Sequence, residues 1–145
     1  MQITIRPFHA ADTEALVEIW RRAVLETHDF LAKADFDDIH EKLGSVYLPA
    51  VNVHVACADG RPVGFIGMGG RHVEMLFVDP AVMGSGIGRR LLNHVAGDRP
   101  LTVDVNEQNP KAVGFYLRYG ILQTGRSETD GQGRPYPLLH LAMPA

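Results

Sequence analysis

Apolar residues along this chain keep changing period, and each change marks an element. Ile3 and Ile5 alternate with polar neighbours until Pro7 ends the run, which predicts a short opening strand. From Asp12 the period lengthens: Ala15, Leu16, Ile19, Trp20 and Ala23 fall on one face of a helix that Asp12 is placed to cap. A second helix, with Asp35 as its cap, turns Phe36, Ile39, Leu43 and Val46 inward before Pro49, and both helices are acidic outside. The period then drops to two. Val51, Val53, Val55 and Cys57 alternate up to the turn pair Asp59-Gly60, and the apolar run 63–68 follows Pro62, so the two segments read as a hairpin.

Residues 73–78 predict a further strand that runs into Asp79-Pro80 and a cluster of glycines, after which Ile87, Leu91, Leu92 and Val95 keep helical spacing. Residues 101–105 read as a strand. Asn109-Pro110 opens a helix with a capping side chain and a proline in its first turn, Gly120 closes it, and residues 121–127 and 136–143 read as terminal antiparallel strands. Strand, two helices, three meandering strands, helix, strand, helix and two strands predict a mixed α/β fold. No repeat, low-complexity tract or linker divides it, so residues 1–145 read as one domain.

Composition narrows the chemistry. With 145 residues and 46% hydrophobic side chains, the chain is long enough to hold a core without staples. A single cysteine, Cys57, excludes disulfide scaffolds and cysteine-rich zinc sites, and no His or carboxylate spacing suggests another metal. The formal net charge of −3 and the lack of clustered basic runs argue against a nucleic-acid binder. No signal peptide or membrane span is readable, which makes the cytoplasm the expected location, and oligomeric state is not readable. Charge is uneven along the chain: residues 1–60 carry five Lys/Arg against ten Asp/Glu, whereas residues 84–126 carry six against three.

The strongest local signal is Val78-Asp79-Pro80 followed by Met83-Gly84-Ser85-Gly86-Ile87-Gly88-Arg89-Arg90, a strand entering a helix through alternating glycines. Amides at such a helix start favour anions, and missing β-carbons let a phosphate approach; a plain glycine-assisted helix start is the other reading. A nucleoside-triphosphate loop would need Gly-Lys-Ser/Thr, but Arg89 and Arg90 follow Gly88. A dinucleotide fold would place its glycines in the first strand-to-helix turn; Asp104, twenty residues after Gly84, keeps that nucleotide-binding alternative open.

Gly86 and Gly88, after a strand ending Val78-Asp79-Pro80, resemble the core pattern of the GNAT superfamily of N-acetyltransferases, Arg/Gln-x-x-Gly-x-Gly/Ala. The resemblance extends through Asn109, Ala112, Tyr116 and Gly120 and through the order of elements over nearly the whole chain. Segments Thr27-His28-Asp29-Phe30-Leu31, Val105-Asn106-Glu107-Gln108-Asn109, Val113-Gly114-Phe115-Tyr116 and Tyr136-Pro137-Leu138-Leu139 look like the YjaB subgroup of bacterial acetyltransferases. Two positions depart from the superfamily pattern: Met83 stands in the place of the usual Arg or Gln, and Ile121 in the place of an aromatic.

The resemblance implies a mostly antiparallel sheet, splayed between the strands ending at Val78 and Val105, with acetyl-CoA as cosubstrate in the opening. It implies pantetheine contacts to Leu76, Phe77 and Val78, pyrophosphate contacts to Gly84, Ser85, Gly86, Ile87, Gly88 and Arg89, and a further contact at Asn109. Tyr116 is implied as the acid that protonates the leaving thiolate; at helical spacing from Ala112 it also reads as a core aromatic. Glu74 and Asp104 are candidate bases on strands flanking the opening, and each also reads as a solvated strand residue. His28, with Trp20 on the helix before it, stands where the family builds one wall of the acceptor groove, while His72 begins the cofactor strand. The expected partner is an amine, a small molecule or a protein lysine, attacked directly on acetyl-CoA, since Cys57 sits on an apolar face. A non-catalytic acyl-CoA sensor is the alternative from another class.

Overall fold

The chain runs β1 (Ile3–Pro7), α1 (Thr13–Thr27), α2 (Lys33–Lys42), β2 (Asn52–Ala58), β3 (Arg61–Gly69), β4 (His72–Val78), α3 (Ile87–Ala96), β5 (Thr102–Asn106), α4 (Pro110–Tyr119), β6 (Leu122–Ser127) and β7 (Leu138–Ala142) in a computed structural model that describes residues 2–144. The strands make one seven-stranded sheet in the order β1-β2-β3-β4-β5-β7-β6. Every neighbouring pair is antiparallel except β4 and β5. A doubly wound nucleotide fold would be mostly parallel, so the dinucleotide alternative is not what the chain builds.

The one parallel pair is also the weakest join in the sheet. β4 and β5 pair at His72 with Thr102 and at Val73 with Val103, and no further. Opposite β3, Met68 faces Val73 and Gly67 faces Met75, so Glu74 is the extra residue of a β-bulge. A bulge bends and twists its strand. Beyond it, β4 diverges from β5 and leaves the edge of residues 76–78 without strand partners on that side, which is the expected splay.

Alternation along the strands fills two cores. Ile66, Val103, Val105 and Leu141 join Ile87, Leu91 and Leu92 of α3 and Tyr116 of α4 on one face. On the other, Val53, Val55, Cys57 and Phe65 pack against Leu16, Ile19, Trp20 and Val24 of α1. Cys57 is buried and free among them, as its place in the alternation predicted. The Asp59-Gly60 turn has φ of 51° and 85°, the left-handed pair that a two-residue hairpin requires.

Three local expectations are corrected. Asp12 occupies the cap position of α1 but does not cap it: Arg6 donates to its carboxylate at 2.8 and 2.9 Å, and the His9 amide donates at 2.9 Å. Asp35 lies inside α2, whose cap position is Ala32; its carboxylate is taken by the Tyr136 hydroxyl and by Arg134 at 3.4 Å. Val46 is exposed, because α2 passes into a wider π turn, Leu43–Tyr47, that shifts the phase and buries Leu43 and Leu48 instead. The Asn109 cap is as expected: its side chain accepts from the Ala112 amide at 3.3 Å, and Gly120 ends α4 at φ 106°.

Candidate active site

The wedge between β4 and β5 opens into a cavity of about 650 Å³. One wall is Leu76, Phe77 and Val78 of β4; the start of α3 and the inner face of α4 supply most of the rest, and the end of α1 closes it with Ala23, Glu26, Thr27 and His28.

Asp79 anchors the start of the loop leading into α3. Asp79 caps the short turn Pro80–Val82 by accepting from the Ala81 amide at 2.9 Å, and its other oxygen takes Arg22 of α1 at 2.9 Å. Gly84 and Gly86 follow at φ 83° and 81°, conformations an L side chain rarely adopts, and a β-carbon at either would meet nothing within 4 Å. The open space there is the cavity. No acceptor among the described residues reaches the amides of Gly84, Gly86, Ile87, Gly88 and Arg89, so they are open to an anionic ligand at the positive end of α3. Ser85 is different: its amide and its hydroxyl both donate to the Val82 carbonyl, and it does not line the cavity.

Arg89, Lys111 and Arg118 bring cations to the same cavity, with Arg89 held 5.4 Å over the Tyr119 ring. Lys111 and Arg118 were not singled out from sequence; the basic balance of residues 84–126 was the signal that pointed to them. Asn109, nearly buried, commits its carboxamide oxygen to the cap of α4, which leaves its NH₂ for a ligand. Met83 is half exposed at the mouth.

Tyr116 lies deep in the cavity wall and in the core at once. No described residue hydrogen-bonds its hydroxyl, and burial pushes the phenol well above its ordinary value, so it holds its proton throughout the physiological range. His28 closes α1 as its C-terminal cap, donating its amide to Val24 at 2.8 Å. Burial lowers its imidazole, opposed by the Asp29 carboxylate. His28 also lines a second, smaller pocket of about 150 Å³ with Trp20, Phe30, Phe77 and Tyr136. Trp20 reaches that pocket from the core, packed on Phe36 and His40 at 5.0 and 5.9 Å between ring centroids.

The two carboxylates lie elsewhere. Glu74 is the exposed bulge residue, lying over Gly69, and does not line the cavity. Asp104 is bonded by His140 at 2.6 Å and sits 3.4 Å from His72, with His140 in turn 2.6 Å from the Ser127 hydroxyl; none of the four lines either cavity. Among the described residues no group of three or more His, Cys, Asp or Glu is arranged to hold a metal ion, and no helix is long and apolar enough to cross a membrane.

Residues 24–136 match the family described as "Acetyltransferase (GNAT) domain". The chain is 48% identical over 146 residues to "Peptidyl-lysine N-acetyltransferase YjaB" of Salmonella typhimurium, covering 99% of this chain and 100% of the relative. It is 47% identical over 144 residues to the protein of the same description from Escherichia coli, covering 98% and 97%. The solution structure of apo-form YjaB from Escherichia coli superposes with a TM-score of 0.91 at 45% identity, over 98% of this chain and 97% of that one.

Proposed function

This chain belongs to the acetyltransferase (GNAT) family and is an N-acetyltransferase, and from that premise we propose that it transfers the acetyl group of acetyl-CoA directly to the side-chain amine of a protein lysine. The observation that carries the acetyl-CoA half is the cavity itself: unpaired backbone along residues 76–78, five open amides at the start of α3 and three cations in one continuous space. An extended amide-bearing arm can satisfy the strand edge, and a pyrophosphate can satisfy the amides. The acceptor half is supported by the descriptions that the two YjaB relatives carry.

Acetyl-CoA supplies an activated thioester. The chain's residues do the rest. Leu76 and Val78 offer backbone groups to the pantetheine arm; Gly84, Gly86, Ile87, Gly88 and Arg89 hold the pyrophosphate, with Lys111 and Arg118 adding positive charge. Met83 offers a backbone and an apolar side chain there, so charge recruitment falls to Arg89, Lys111 and Arg118. Tyr116, with an otherwise unbonded and firmly protonated hydroxyl, donates its proton to the departing sulfur. Cys57 is sealed in the α1 core away from the cavity, which supports direct transfer without an acyl-enzyme.

Thiol release from acetyl-CoA, measured with a lysine-bearing peptide, a peptide whose only amine is its N-terminus, and a polyamine, tests the reading. The lysine peptide is expected to support turnover and to gain one acetyl group on its side chain by mass spectrometry. Turnover with the polyamine alone would overturn the acceptor assignment.

A further inference from the structure

His28 lines both the cofactor cavity and the smaller pocket, Thr27 lines the first, and the hydrogen bonds between them select a tautomer of the ring. The Thr27 hydroxyl donates to the Ala23 carbonyl at 2.8 Å, and the same oxygen lies 2.7 Å from His28 Nδ1. A hydroxyl has one proton to give. With that proton directed to Ala23, Nδ1 is the donor in the second contact, and a neutral ring protonated at Nδ1 carries a bare lone pair at Nε2. No described residue bonds Nε2. His28 lines both the cofactor cavity and the pocket of Trp20, Phe30 and Tyr136, and in this tautomer its Nε2 is unprotonated.

We propose that His28 Nε2 is the general base that takes the proton of the incoming ammonium, with Thr27 as the positioning residue that fixes its tautomer. The inference rests on the acetyltransferase reading above and assigns the base that Glu74 and Asp104, both outside the cavity lining, do not supply. The ammonium gives one proton to Nε2. The freed nitrogen lone pair forms the N–C bond, the C–S bond breaks with its electron pair on sulfur, and the sulfur takes the Tyr116 proton. The second surplus proton on the new amide nitrogen returns through water to the Tyr116 phenolate, and imidazolium releases the first to solvent, so one proton leaves per turnover.

The surroundings favour a neutral ring at rest. Burial lowers the imidazole, and Arg89, Lys111 and Arg118 face the same cavity with positive charge; Glu26, Asp29 and, from the second pocket, Asp130 oppose them, while Tyr116 and Tyr136 are uncharged. The base is therefore competent from below its ordinary pKa of about 6.5 upward.

The test is the pH profile of kcat/KM for whichever amine the wild-type enzyme turns over, alongside His28→Ala, His28→Gln and Thr27→Val. Wild-type rate should rise to an inflection below about pH 6.5 and then level. Both His28 variants should fall about 10²- to 10⁴-fold at pH 7 and keep rising tenfold per pH unit toward the amine pKa of about 10.4, with acetyl-CoA affinity within about twofold of wild type. Added imidazole should restore part of the His28→Ala rate, and Thr27→Val should lower kcat with KM for acetyl-CoA unchanged. A His28→Gln enzyme that binds acetyl-CoA normally and keeps the wild-type profile would overturn the proposal. Failure of wild-type enzyme to acetylate a lysine peptide counts against the acceptor assignment alone, since the profile is taken with the amine that is used.

Discussion

A β-carbon at Gly88 would stand 3.1 Å from Cζ of Phe115, where α3 meets α4. The glycines around the start of α3 therefore do different things. Gly88 allows two helices to approach, whereas Gly84 and Gly86 carry left-handed backbone beside open cavity. Gly88→Val should overpack the helix contact and lower stability by about 1–3 kcal/mol. A β-carbon at Gly86 meets no neighbour, so Gly86→Val should stay folded, at a strain cost of about 1–2 kcal/mol, yet fill the phosphate volume and weaken CoA binding at least tenfold. Thermal melts paired with calorimetric titration separate the two, and equal CoA affinity in wild type and Gly86→Val would remove the loop from the site.

The Arg6–Asp12 pair gives a pH signature. Arg6 hydrogen-bonds Asp12 and holds its carboxyl down to about 2 from 3.8; burial opposes this, and the His9 amide adds to it. The unfolded chain binds the proton more readily in that window, so the stabilisation is full above about pH 4 and lost as pH falls toward 2. Asp12→Asn should cost about 1–2 kcal/mol at pH 7 and almost nothing at pH 2. Urea melts at the two pH values check it; a difference that persists at pH 2 would mean packing, not charge, carries the pair.

Elements with strong periods were legible from sequence because one face of each is buried within its own stretch. Asp12 and Asp35 were read as caps because local spacing favours that reading; their true partners, Arg6 across a turn and Tyr136 and Arg134 a hundred residues on, are set by the tertiary fold. Leu76, Val78, Gly84, Gly86, Asn109 and Tyr116 reach the cavity because strand ends and helix starts fix where such residues point. The faces of Glu74 and Asp104 were not legible. A bulge removes Glu74 from the alternation, and the His140 partner of Asp104 lies on a strand whose neighbour no local pattern names.

Glu26 lines the cavity and Asp130 the second pocket, and residues 1–60 carry ten Asp/Glu against five Lys/Arg, an acidic excess that remains although Glu18, Asp37 and Asp38 are paired with Arg21, Lys33 and Lys42. Such a field should concentrate cationic acceptors and weaken with screening. Apparent KM for a lysine peptide should rise between about 0.01 M and 0.15 M salt, where the Debye length drops from about 30 to 8 Å, whereas KM for an uncharged amine should not. Steady-state kinetics across that range decides the matter: a salt-independent KM for a confirmed cationic acceptor would mean these carboxylates are only solvated.

The central claim is direct transfer in this cavity with Tyr116 as the acid, and Tyr116→Phe isolates it because the lost hydroxyl makes no bond to a described residue and its removal should leave folding intact. A preformed enzyme–acetyl-CoA complex, mixed with lysine peptide in a single turnover and followed by intact mass, measures it without interference from product release. Acetyl should leave CoA and appear on the peptide at one rate with no acetylated enzyme, and Tyr116→Phe should slow that rate about 10²- to 10⁴-fold with donor affinity nearly unchanged. An acetyl-enzyme that forms before the peptide is modified, or a Tyr116→Phe variant that transfers at the wild-type rate, would contradict it.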